Sequence, residues 1–150
     1  MRVSLEQIVN SAKLIIPEPE MAARNCAWLE ACGYPGIRLL LEANADERRA
    51  LALVPDAMGL DLQNVSCVFL GPEIAAHVAG HGRVFLRNVR HGLYLVPLAV
   101  EANIGIGCPV DSAFVLGGER HKNPYSEKLE LAAREGVAVD DDLWRTLEQI

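Results

Sequence analysis

Apolar residues recur at helical spacing through the first part of the chain, and the pattern changes toward strand-like alternation near Val65. Ser4 followed by Gln7 is a capping box that opens the run Leu5, Ile8, Val9, Ala12 and Ile15. Pro17 and Pro19 stop that helix, because the ring removes a donor and clashes with the preceding turn. A second helix is predicted from Glu18 to Cys32, with Met21, Ala22, Asn25, Trp28, Leu29 and Cys32 on one side. Gly33 supplies the left-handed residue that ends it. Tyr34-Pro35-Gly36 leads into a third helix, Ile37 to Ala43, and Asn44 to Arg49 either extends or breaks it.

The second half reads differently. Val65 to Leu70 is predicted as a strand ended by Gly71-Pro72, and Arg83 to Val89 alternates as a second. There Val84 and Leu86 oppose Arg83, Phe85 and Arg87. Asn88 to Gly92 fits a hairpin turn into a third strand, Leu93 to Val96, followed after Pro97 by a helical stretch to Asn103. Ser112 to Leu116 is a fourth strand, while Glu127 to Ala133 fits strand and helix alike. The last helix starts at Asp140, where three successive aspartates suit the positive end of the helix dipole. Val139 and Trp144 have the spacing of a hydrophobic staple. The pattern is still running at Ile150, so either the helix ends there or the chain has been cut.

These elements predict one α+β domain over residues 1–150: a helical layer at 1–45, a sheet-forming part at 65–139 and a final helix at 140–150. The expected sheet is mixed or mostly antiparallel, with about four or five strands and the N-terminal helices packed on one face. The expected core is Leu5, Ile8, Trp28, Leu29, Leu39, Val68, Phe85, Leu95, Phe114 and Trp144.

Composition narrows the function classes. A net charge of −6 with scattered Lys and Arg argues against nucleic acid, which rewards clustered positive charge. The densest basic group is Arg83, Arg87, Arg90 and His91, which suits solvation of an edge, an acidic partner or an anionic small molecule better than DNA. No apolar run reaches membrane-spanning length, and the N-terminus lacks the pattern of a secretory leader. Cys26, Cys32, Cys67 and Cys108 lack the dense framework of secreted mini-domains and read as thiols of a cytoplasmic protein.

Candidate chemistry is sparse. His77 and His81 have the spacing of a two-histidine metal face, with His91 as a third ligand. Gly80 and Gly82 weaken the helix that such a face needs, and two ordinary loop histidines explain the pattern as well. Cys108, between glycines, is a candidate thiol nucleophile if a histidine such as His91 activates it; an inward-packed cysteine in a turn is the plainer account. Gly105-Ile106-Gly107 lacks the third glycine and following helix of a dinucleotide fingerprint, so no cofactor is implied. Gly117 to Tyr125 gathers Arg120, His121 and Tyr125, a loop composition suited to an anion or carboxylate, or to plain solvation. Arg87 is a further candidate for binding.

The segments MRVSLEQI, WLEACGYPGIRLLLE and GVAVDDDLWRTLEQI, with YLVPLAVEA between them, resemble an uncharacterised proteobacterial family known only as a domain of unknown function. That resemblance implies a longer chain beyond the last helix and brings no established activity or site residue. Tyr34-Pro35-Gly36-Ile37-Arg38-Leu39 is also similar to a stretch of the type 2 malate/L-lactate dehydrogenases. Their catalytic histidine would fall on Pro35, which cannot transfer a proton, so no catalytic residue is carried over. Two functions from different classes follow. One is a non-catalytic binding or auxiliary module, as a homodimer or with a protein partner. The other is a small-molecule enzyme or ligand binder using Cys108, a histidine and Arg120 in one cleft.

Overall fold

The computed structural model describes residues 1–13, 19–81, 83–102, 105–107 and 125–149. In chain order the elements are β1 (Arg2–Val3), α1 (Leu5–Ala12), α2 (Pro19–Ala31), α3 (Gly36–Asn44), β2 (Leu60–Asp61) and α4 (Cys67–His81). There follow β3 (Arg83–Arg87), a 3₁₀ turn (Gly92–Leu95), α5 (Val96–Ala102), β4 (Gly105–Gly107), α6 (Ser126–Glu135), β5 (Val137–Ala138) and α7 (Asp141–Glu148). The chain divides into two compact units, Met1–Ala45 with Lys122–Ile150, and Asp46–His121.

The first unit is helical. Ser4 Oγ accepts from the Gln7 amide at 3.1 Å while Gln7 Oε1 accepts from the Ser4 amide at 2.8 Å, the reciprocal cap expected at the start of α1. α1 packs on α2, α2 on α3 and α6, and α3 on α7. Ile8, Ala12, Ala23, Cys26, Leu29, Ile37 and Leu40 lose all their exposed surface in this packing. Gly33 ends α2 with φ +85°, as its position predicts. Asp140 Oδ1 accepts from the amides of Asp142 and Leu143 and so caps α7, and the staple pair Val139 and Trp144 is buried. β1 and β5 form a two-stranded antiparallel ribbon that pairs Arg2 with Ala138 and Val3 with Val137.

The second unit holds a three-stranded sheet of order β2-β3-β4 in which both pairs are parallel. Leu60 lies beside Leu86, and Val84 beside Ile106. Parallel neighbours need a crossover, and α4 supplies the first, the 3₁₀ turn with α5 the second. Val84 and Leu86 turn inward with α4, whose Val68, Leu70, Ile74 and Val78 are buried, and with Leu95, Val96 and Ala99.

This architecture overturns the expected sheet of four or five mixed or mostly antiparallel strands covered by the N-terminal helices. The described residues are mostly helical, and α1, α2 and α3 pack among themselves and with α6 and α7. Val65 to Leu70 is no strand: Ser66 caps a helix there that continues through Gly71 and Pro72 to His81. A short apolar run bounded by glycine and proline suits a buried strand and a buried helix equally, and here length and a cap favour the helix. Leu93 to Val96 is likewise a 3₁₀ turn leading into α5, so Asn88 to Gly92 is no hairpin. Glu127 to Ala133 is helix α6. Ser112 to Leu116 and Phe114 lie outside the described residues. Of the expected core, Phe85 is 60 % exposed, Leu5, Trp28 and Leu39 are half-buried, and Ile8, Leu29, Val68, Leu95 and Trp144 are buried.

Among the described residues no helix is long and apolar enough to cross a membrane.

Gly59 closes a tight turn with Asp56 just before β2, at φ +108°, and a Cβ there would sit 2.2 Å from the Phe85 carbonyl oxygen. Gly59→Ala should therefore destabilise the second unit by about 2 kcal/mol or more. Urea unfolding followed by far-ultraviolet circular dichroism measures this, since both tryptophans, Trp28 and Trp144, belong to the other unit.

Candidate functional site

The carboxyl ends of β2 and β3 lie side by side, and the segments leaving them stay paired. The amides of Leu62, Asn64 and Cys67 donate to the carbonyls of Arg87, Asn88 and Arg90 at 2.9, 3.0 and 2.9 Å. Four non-glycine residues on these segments have left-handed backbone: Gln63 at φ 51°, Asn64 at 62°, Asn88 at 54° and His91 at 58°. Gln63 and Asn64 are the two central residues of a tight turn closed by Val65 N–H to the Leu62 carbonyl. Asp61 Oδ1 accepts from the Gln63 amide at 2.9 Å and from Asn88 Nδ2 at 2.8 Å, tying the two loops together. The Asn88 bond, then the Gln63 amide, hold the Asp61 carboxyl below the usual aspartate range.

Behind this edge sits a polar cluster. Ser66 Oγ lies 2.7 Å from His91 Nδ1 and accepts from the Val68 amide at 3.1 Å, which makes it the N-cap of α4. Either imidazole tautomer satisfies the first bond. Ser66 has no exposed surface, and its hydroxyl positions the helix and the imidazole. Arg90 grips Asp46 with two bonds, Nε to Oδ2 at 2.8 Å and Nη2 to Oδ1 at 2.9 Å. That bond first, then the charges of Arg90, His91 and Arg49, hold the Asp46 carboxyl down. Arg49 lies over the Phe69 ring, 5.3 Å from its centroid.

Of the basic group read from the sequence, His91 and Arg90 are built into this cluster. Arg87 ends β3 and pairs with Asp56. His77 is half-buried on α4; His81 is the last residue of that helix, and its side chain lies outside the description. Among the described residues no group of three His, Cys, Asp or Glu side chains is placed to hold a metal. Tyr125 belongs to the other unit, where its ring meets Trp28 at 4.8 Å and its hydroxyl lies 3.2 Å from that of Tyr34. Burial pushes the Tyr125 phenol up, with the Tyr34 bond adding to it. Cys108, Arg120 and His121 lie outside the described residues. Cys26, Cys32 and Cys67 are buried, and burial pushes the Cys32 thiol up to about 11, away from thiolate chemistry.

Sequence reasoning missed Asp46, Asp61, Gln63, Asn64, Ser66 and Asn88. The available signal was two asparagines next to apolar runs, since Asn tolerates left-handed backbone better than other side chains. Comparison with known proteins adds nothing to the site: no family model, no curated protein and no solved structure matches this chain.

Because Asp46 gains its partner on folding, its contribution is present above the ordinary aspartate pKa of 3.8 and is lost as pH falls through its lower folded value. Arg90→Gln should raise the Asp46 pKa toward 3.8, which a carboxyl-carbon NMR titration reads directly. An Asp46 that titrates identically in both proteins would rule out Arg90 as the cause.

Proposed function

We propose that the chain is a non-catalytic binding module that holds a small polar molecule along the carboxyl edge of its parallel sheet. One observation carries this reading: Gln63, Asn64, Asn88 and His91 all take left-handed backbone on the loops leaving two adjacent strands. Such backbone costs an ordinary residue about 1–2 kcal/mol and persists where its surroundings over-determine it, often at ligand clamps. Open α/β sheets take ligands outside the carboxyl ends of their strands where the strand order reverses; the described strands, in the order β2-β3-β4, share with them the carboxyl edge alone. The exposed side chains of Gln63, Asn64 and Asn88 and the half-exposed imidazole of His91 suit a ligand rich in hydroxyl, carboxylate or phosphate groups, with Gln63 Oε1 held by Arg48 and Asn88 Nδ2 by Asp61.

The way the reactive groups are used also supports a binding role. The Ser66 hydroxyl is enclosed as a helix cap, Asp46 is held by Arg90, and the three described thiols are buried. Buried thiols outside any disulfide also support a cytoplasmic setting.

The test is an NMR titration of the isotope-labelled full chain with sugars, nucleosides, carboxylates and inorganic phosphate. Binders should move the amides of Gln63, Asn64, Asn88 and His91 first. Binders that leave these four unmoved would contradict the reading.

A second reading, a protein partner or a second copy of the chain, is favoured by the exposure of Val54 (74 %), Met58 (68 %) and Phe85 (60 %). Under it the chain self-associates and Phe85→Asp abolishes the association, both visible by light scattering; a wild-type monomer counts against the homodimer.

A further inference from the structure

We propose that a cavity in the helical unit binds a small organic cation, an aliphatic ammonium, between the carboxylates of Glu30 and Asp140. The cavity has a volume of about 450 Å³ and lies where the end of α2, the first turn of α3 and the start of α7 converge. That volume falls in the range of small-molecule sites. Its lining combines Glu30, Arg38 and Asp140 with the apolar surfaces of Pro35, Val139 and Leu143. Two carboxylates against one guanidinium leave the lining net negative whenever Glu30 is ionised. The apolar surfaces suit a short hydrocarbon body.

Glu30 is held in place by the chain. Its carboxylate accepts from the backbone amides of Gly36 and Ile37 at the start of α3, where Pro35 offers no side-chain cap. Burial nevertheless raises its pKa to about 7, outweighing those two bonds and the Arg38 charge. A partly desolvated carboxylate of this kind gains more from a cation than an exposed one would. Asp140 is fixed just as firmly, since Oδ1 caps α7. Among the residues that line the cavity, the titratable or charged groups beside Glu30 are Arg38, Asp140 and Tyr34, whose hydroxyl meets that of Tyr125. The site is independent of the sheet-edge reading, because it belongs to the other unit.

The experiment is an NMR titration of the full chain with n-butylammonium and, separately, 1-butanol, at about pH 6 and about pH 8. The ammonium should saturate shifts at Tyr34, Arg38 and Val139, and should bind about tenfold more tightly at the higher pH as Glu30 loses its proton. Glu30→Gln keeps an oxygen for capping α3 and removes the charge, so it should abolish both the binding and its pH dependence. Equal binding of 1-butanol, equal binding at the two pH values, or no saturable shift would overturn the proposal. Should Glu30→Gln fail to fold, the wild-type pH series and the neutral alcohol decide the matter alone.

Discussion

The parallel pairing of β3 with both of its neighbours is the constraint from which the second unit follows. Two strands running the same way cannot be joined by a tight turn, so the chain must cross back through a helix each time. α4 makes the first return and the 3₁₀ turn with α5 the second. The same pairing forces the segments after β2 and β3 to leave from one edge. It also buries the crossover helix, which accounts for a run as apolar as Cys67 to Ile74 with Pro72 inside it.

At that edge the pairing outlasts the strands, and its cost appears in the backbone. From Leu62 to Cys67, three amides continue to bond the chain between the last residue of β3, Arg87, and Arg90. Holding that register requires the chain to bend sharply at Gln63-Asn64, at Asn88 and again at His91. Asp61 offsets part of the cost by accepting from both loops, and Ser66, just after the Gln63-Asn64 bend, caps the start of a helix. The polar groups at the rim are therefore positioned by backbone that has little freedom to rearrange, the condition for recognising a ligand without a large ordering cost.

The sequence revealed its local features and hid its long-range ones. The Ser4–Gln7 box, the Gly33 stop and the Asp140 cap each depend on residues within one turn of each other, and each forms, while Val139 and Trp144, five apart, are both buried. β3 is legible because Val84 and Leu86 alternate with polar neighbours, although Phe85, an expected core residue, is exposed. β2 was not visible: two residues carry no period, and only their pairing with Leu86 and Arg87 makes them a strand. Strand direction was equally hidden, since it depends on where α4 begins, and Ser66 reads as an ordinary polar residue until the apolar run behind it is known to be helical. Of the candidate site, His91 was legible as a histidine in a basic segment. Its partner Ser66 was not, because the two meet only after the crossover brings them together.

The most direct measurement is amide hydrogen exchange at Leu62, Asn64 and Cys67, the three donors that extend the β2–β3 pairing past the strands. The account predicts slow exchange at all three, in step with the buried helix amides of Leu70 and Ile74. Exchange as fast as that of the exposed Ala57 turn would contradict it, because the carboxyl edge would then lack the fixed register on which the rest is built.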